Sequence, residues 1–192
     1  MFTLVIDTST DLCLLALVQG GQVVHENTFS HENRLSKHLL PSIRALLEKA
    51  GLKPKELKEI AIGKGPGSYT GTRLGASIAK TLCFALNLPL KAFYSPLAFM
   101  PSEEGTFLLP TKAGLYFLFK PDKQAALVSS QELPQYFAPF FVMPDPKKAP
   151  EEILSRPCLQ ATVNLPNLAA HLSSLPLISP EEMTLEYLHT PF

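Results

Sequence analysis

The chain has 192 residues, 46% of them apolar, enough to bury a full core as one domain or two small ones. Basic and acidic residues both number 17, and no basic run exceeds Lys147-Lys148, which disfavours a strong grip on nucleic acid by this chain alone. Cys13, Cys83 and Cys158 lie far apart without a C-x-x-C pair, so neither a disulfide framework nor a zinc knuckle is indicated, and a reduced cytoplasmic setting fits.

Phe2–Asp7 is a short apolar run ending in Asp7-Thr8-Ser9-Thr10, the pattern of a buried strand that feeds a polar loop. It has no basic region before it, unlike a secretory leader, and no apolar run approaches membrane-spanning length. Residues 13–18 and 22–28 flank Gly20-Gly21 and predict a hairpin, because both turn positions tolerate positive φ. From 37 to 50, Leu39, Leu40, Ile43, Leu46, Leu47 and Ala50 share one helical face, with Gly51 placed to end the helix. Pro41 then belongs in or near the first turn. A strand is expected at 59–63, a second helix at 71–86 carrying Leu74, Ile78, Leu82 and Leu86, and a strand at 88–93. This order predicts a mixed α/β sheet with packed helices.

The second half has a different character. Residues 1–95 hold 8 of the 10 glycines and 4 of the 18 prolines, and the remainder holds 2 and 14, which places a boundary near residues 96–105. We therefore expect an N-terminal lobe over 1–100 and a shortened, proline-rich lobe over 101–192. A hairpin is expected from 106–109 and 115–120 around Pro110-Thr111-Lys112-Ala113-Gly114, and short helices at 151–154 and 168–174.

The stretch 63–73, "GKGPGSYTGTR", packs four glycines into nine residues between a strand and a helix. It is not a P-loop, because no Lys-Ser or Lys-Thr follows the glycines. It is not a dinucleotide fingerprint either, since the last position is Thr70. Two readings remain: a compact turn needing glycine for its backbone, or an anion-friendly loop built from Gly65, Gly67, Ser68, Tyr69, Thr70 and Gly71. Arg73 in the first helical turn opposes the helix dipole and calls for an acidic or phosphate partner. Asp7 with Thr8 and Ser9 has the look of the metal-phosphate end of an actin-like ATPase, or of an Asx-type turn. His31-Glu32 lacks the second histidine of H-E-x-x-H, His38 lies too far on for a metal pair, and no G-x-S-x-G elbow is present. No catalytic residue and no metal ligand is nominated. Gly75, Ala79 and Cys83 recur every four residues on the second helix and imply close packing.

Three blocks, "LVIDTST", "HLLPSIRALLEKAG" and "IAIGKGPGSYTGTRLGASIAKTL", together resemble the TsaB (YeaZ) family over roughly residues 3–100, with Glu186-Tyr187-Leu188 echoing its closing segment. The resemblance implies an actin/hexokinase-like fold of two related α/β lobes. It also implies a non-catalytic, cytoplasmic subunit for making threonylcarbamoyladenosine in tRNA. Such a subunit dimerises with a TsaD-type synthase through its two N-lobe helices and works with a TsaE-type ATPase. On that reading Leu39, Leu40, Ile43, Leu46, Leu47, Leu74, Ile78 and Leu82 are the partner-binding residues. ATP or ADP and metal sit on the partner subunits, and tRNA is met only indirectly. Exposed apolar helix faces also allow a homodimer of the isolated chain. The family shows Asp-Ala-Arg where this chain has 110–114, so the second lobe departs from its relatives. The rival reading is a stand-alone ATPase or small-molecule kinase using Asp7 and the glycine loop. A glycoprotease would need a metal or a nucleophile, and the chain offers neither.

Overall fold

The structure is a computed structural model and describes residues 1–30, 34–101, 104–111, 114–121, 125–136 and 138–187. His31-Glu32 and Lys112-Ala113, which figured in the sequence reading, lie outside the described residues, as does Leu188. The chain forms two units: Met1–Ser95 with Leu168–Phe192, and Pro96–Asn167. The last segment of the chain therefore returns to the unit in which it began.

In the first unit, β1 (Phe2–Asp7), β2 (Leu12–Gln19) and β3 (Gln22–Ser30) form an antiparallel meander. Two crossovers then add β4 (Leu57–Gly63) and β5 (Leu90–Phe93) in parallel on the other side of β1, giving the order β3-β2-β1-β4-β5. The crossover helices are α1 (Leu35–Lys49) and α2 (Tyr69–Leu86). Leu4, Ile6, Leu15, Leu17, Ile60 and Ile62 bury completely between sheet and helices.

Helix α1 begins two residues before the expected start, so Pro41 lies inside it rather than in its first turn. Its missing N–H removes one intrahelical bond, a loss offset by burial of Leu35, Leu39, Ile43, Leu46 and Leu47. The helix closes as expected at Gly51, whose φ is +67. The amides of Gly51 and Leu52 donate to the carbonyls of Glu48 and Leu47 at 3.0 and 2.9 Å, a Schellman closure. Helix α2 ends the same way around Asn87.

The second unit repeats the plan. β6 (Thr106–Pro110), β7 (Tyr116–Phe119) and β8 (Ala126–Val128) form the meander. β9 (Phe141–Met143) and β10 (Cys158–Gln160) add in parallel on the other side of β6, so the strand order is the same as in the first unit. The helices are what differ. Where the first unit has α1 and α2, the described residues of the second have 3-10 turns at Ser130–Gln135, Pro146–Lys148 and Glu151–Ile153. The helix expected at 151–154 is thus a 3-10 turn. That expected at 168–174 is α3 (Leu165–His171), starting earlier and followed by a 3-10 turn at Leu172–Ser174. Prolines at 134, 146 and 150 remove the donors that longer α-helices would need.

A buried polar clamp holds the returning segment to the first sheet. Lys91, 8% exposed, donates from Nζ to the Leu172 carbonyl at 2.9 Å and pairs with Glu59 at 3.1 Å. Glu59 also accepts from the Thr3 hydroxyl at 2.7 Å. An isolated antiparallel bridge between Leu90 and Ile178 continues the attachment.

Candidate functional site: a glycine loop closed on Asp7

The strand order puts the ends of β1 and β4 side by side, so the loop after Asp7 meets the glycine loop that feeds α2. The two are locked together. The Ser68 amide donates to the Ser9 carbonyl at 2.6 Å, and the Thr8 hydroxyl donates to the Gly71 carbonyl at 2.7 Å. A Cβ at Gly67 would strike the Ser9 carbonyl and one at Gly71 the Thr8 carbonyl, so both glycines are required by the approach of one backbone to another. The Ser68 hydroxyl caps α2 by accepting from the Gly71 amide at 3.1 Å. Gly65, with φ +90, donates to the Ser95 hydroxyl at 3.1 Å, and Lys64 donates its amide to the Phe93 carbonyl at 2.9 Å.

These contacts settle the geometry of the candidate anion loop. The amides of Lys64, Gly65, Ser68, Gly71 and Thr72 are spent on the protein itself. Asp7, Thr8 and Ser9 are 1%, 0% and 2% exposed. Asp7 Oδ1 accepts from the Ser9 amide at 2.7 Å, while Oδ2 lies beside Gly63 and the Ser95 hydroxyl without a hydrogen bond of good geometry. Burial pushes the Asp7 carboxyl above its ordinary value, against the opposing pull of the Ser9 amide and the nearby hydroxyls of Ser9 and Ser95. Gly67, Ser68, Tyr69, Thr70 and Arg73 remain exposed at the surface. Arg73 meets a neighbour on its own helix. It donates to the Tyr69 hydroxyl at 2.6 Å and its guanidinium lies 4.7 Å from the centre of the Tyr69 ring.

No group of three or more His, Cys, Asp or Glu able to hold a metal exists among the described residues. Burial pushes the Cys13 thiol up to about 12 and that of Cys83 to about 11, which suits packing rather than nucleophilic attack.

The helix residues assigned to partner binding divide. Leu39, Ile43, Leu46 and Leu47 are at most 5% exposed and belong to the chain's own core, a correction to the sequence assignment. One helical face cannot serve two surfaces, and the sheet takes it. Leu74, Ile78 and Leu82 are half-buried against the same core, and Leu40 is 52% exposed. Sequence reasoning missed Phe84, 87% exposed near the end of α2, because periodicity ranks apolar residues by spacing and not by accessibility. Beside these residues runs an apolar groove of about 550 Å³, lined by Leu40, Pro41, Arg44, Leu47, Leu82 and Leu86 among others.

Two units with one strand order, the first with its strand-end loop closed by a glycine turn, fit a two-lobe actin/hexokinase-like α/β fold. Residues 22–98 match the family model of TsaD, tRNA N6-adenosine threonylcarbamoyltransferase. The chain is 40% identical over 87 residues to the tRNA threonylcarbamoyladenosine biosynthesis protein TsaB of Haemophilus influenzae, and 37% over 95 residues to that of Bacillus subtilis. These matches cover 45% and 50% of this chain but only 36% and 42% of the relatives' own length. A Pseudomonas aeruginosa structure described as similar to peptidase YEAZ superposes with a TM-score of 0.80 at 20% identity, covering 98% of this chain and 99% of its own. A second, YeaZ from Pseudomonas aeruginosa, gives 0.77 at 20% identity over 97% and 99%. Through its first half the chain is similar in sequence to TsaB proteins, and throughout it shares the fold of the YeaZ structures.

Proposed function

We propose that this chain is a non-catalytic docking subunit for the synthesis of threonylcarbamoyladenosine in tRNA, pairing with a TsaD-type synthase through the exposed side of α1 and α2. The observation that carries this reading is the closure of the glycine loop on Ser9. A phosphate-binding strand end needs an accessible carboxylate and outward amides, whereas here Asp7 is buried and the amides of Gly65, Ser68 and Gly71 bond inward. The loop instead shapes the first turn of α2, a role that suits presentation of a helix. The same closure speaks against a stand-alone ATPase or kinase using Asp7.

Leu40 and the apolar groove beside it supply the kind of surface that an apolar anchor from a partner fills, and Phe84 adds an exposed ring on α2. ATP or ADP, metal and the chemistry reside on the partners, a TsaE-type ATPase among them, and tRNA reaches the complex through those subunits. A neutral chain needs no nucleic-acid surface of its own in that arrangement. No helix among the described residues is long and apolar enough to cross a membrane, which suits the cytoplasmic setting of tRNA modification. A homodimer of the isolated chain would use the same face and compete with the synthase.

The test is size-exclusion of this chain with the synthase from the same genome, with and without ATP. A stoichiometric complex lost in Leu40→Asp and Phe84→Asp, with both variants folded, is the expected result. Unshifted peaks for the unaltered chain would overturn the reading.

A further inference from the structure

The glycine loop is gripped from a second direction, by a segment 115 or more residues later in the chain. Residues 182–187 run along α2 toward its N-terminus. Met183 is 5% exposed in the core of the first unit, and its carbonyl accepts from Lys80 Nζ at 3.3 Å. The Glu186 amide donates to the Lys64 carbonyl at 2.8 Å. Its carboxylate receives Lys64 Nζ and the Tyr94 hydroxyl, each at 3.3 Å, while Lys64 Nζ also sits 3.7 Å from the centre of the Tyr94 ring. The Glu186 carbonyl fills the space where any side chain at Gly65 would begin, 2.8 Å from that position. Tyr187 then packs on Tyr69, ring centres 5.2 Å apart and tilted by 41°.

Loop composition makes this grip consequential. From 63 to 70 the chain offers only Pro66 and Tyr69 as apolar matter, and its glycines lose the most entropy on ordering. Such a loop cannot hold itself by burial. Ser9, Phe93 and Ser95 fix it through backbone and hydroxyl bonds, and Glu186 and Tyr187 add further contacts. We propose that residues 182–187 are a latch that positions the glycine loop and the first turn of α2, with Tyr187, Tyr69 and Arg73 forming one edge of the partner-docking face. Glu186 and Tyr187 are positioning residues. The docking part of this inference rests on the function proposed above; the latch itself does not.

The experiment compares the full-length chain with Tyr187→Ala, Glu186→Ala and Tyr187→Phe by amide hydrogen exchange and by affinity for the synthase. Tyr187→Phe keeps the ring contact and serves as the rescue. We expect exchange at residues 64–72 to accelerate on the order of tenfold in both alanine variants, with β1, β2 and α1 unchanged and Tyr187→Phe like the unaltered chain. Affinity for the synthase falls in parallel. Unchanged loop exchange in both alanine variants overturns the latch, and so does acceleration spread evenly over the first unit. Normal synthase affinity in a chain with a loosened loop overturns the docking edge. If the unaltered chain fails to bind the synthase, the proposed function fails while the exchange data still decide the latch.

Discussion

Ser68 donates its amide to the carbonyl of Ser9 at 2.6 Å, and this one bond joins the loop after β1 to the loop before α2. It converts what resembles a phosphate-binding corner into a sealed joint. The glycines of the loop serve the joint, since backbone approaches backbone there without room for a side chain.

Gly71→Ala is the direct test of the joint. The added methyl would run into the Thr8 carbonyl, backbone that cannot swing aside as a flexible side chain does. We expect a loss of about 1–3 kcal/mol in unfolding free energy, read by urea titration. A stability within about 0.5 kcal/mol of the unaltered chain, the range of a neutral surface change, would show that the joint opens freely.

Asp7 supplies a pH signature. Its carboxyl is raised above the ordinary value of 3.8 by burial, so the folded state binds the proton more tightly than the unfolded state. Its contribution is fully present below the unfolded value and is lost as pH rises through the raised folded one. Asp7→Asn should remove this dependence. The stability of the unaltered chain relative to Asp7→Asn should therefore fall with rising pH in urea titrations across that range; a rise would reverse the assignment.

The division of α1 and α2 into core and surface predicts a clean separation of phenotypes. Leu46, 2% exposed, should cost about 2–5 kcal/mol of stability as Leu46→Ala. Phe84→Ala, at an 87% exposed site, should leave stability within about 0.5 kcal/mol. Under the proposed function, the same change should weaken synthase binding by more than about 1 kcal/mol, measured by titration calorimetry. A Phe84→Ala chain that binds normally would remove α2 from the interface.

Lys91 and Glu59 predict a non-additive pair. Lys91→Met strands a largely buried carboxylate and releases the Leu172 carbonyl, at a cost of about 2–4 kcal/mol. Adding Glu59→Gln should recover part of that loss, because the stranded charge is gone. Additive losses in the double variant would mean that the pair is not coupled.

Much of the first unit was legible in the sequence because its signals are local. Gly20-Gly21 needs positive φ at both positions and so marks the hairpin, and the spacing from Leu39 to Leu47 marks a helix whatever surrounds it. Gly51 marks its end for the same conformational reason. The strands β8, β9 and β10 carried no such signal. Each has three residues among prolines, and they are strands only because β7, β6 and β9 offer hydrogen bonds.

For the site, the sequence by itself determined which residues form a tight glycine turn, that standard nucleotide motifs are missing, and which family the blocks resemble. Those properties follow from residue type and spacing alone. Only the tertiary structure decided that Asp7 is sealed, that Leu46 is core while Phe84 is surface, and that Glu186 reaches Lys64 across 122 positions of chain. Burial and long-range pairing depend on what the rest of the chain places opposite a residue, and no local pattern of side chains carries that information.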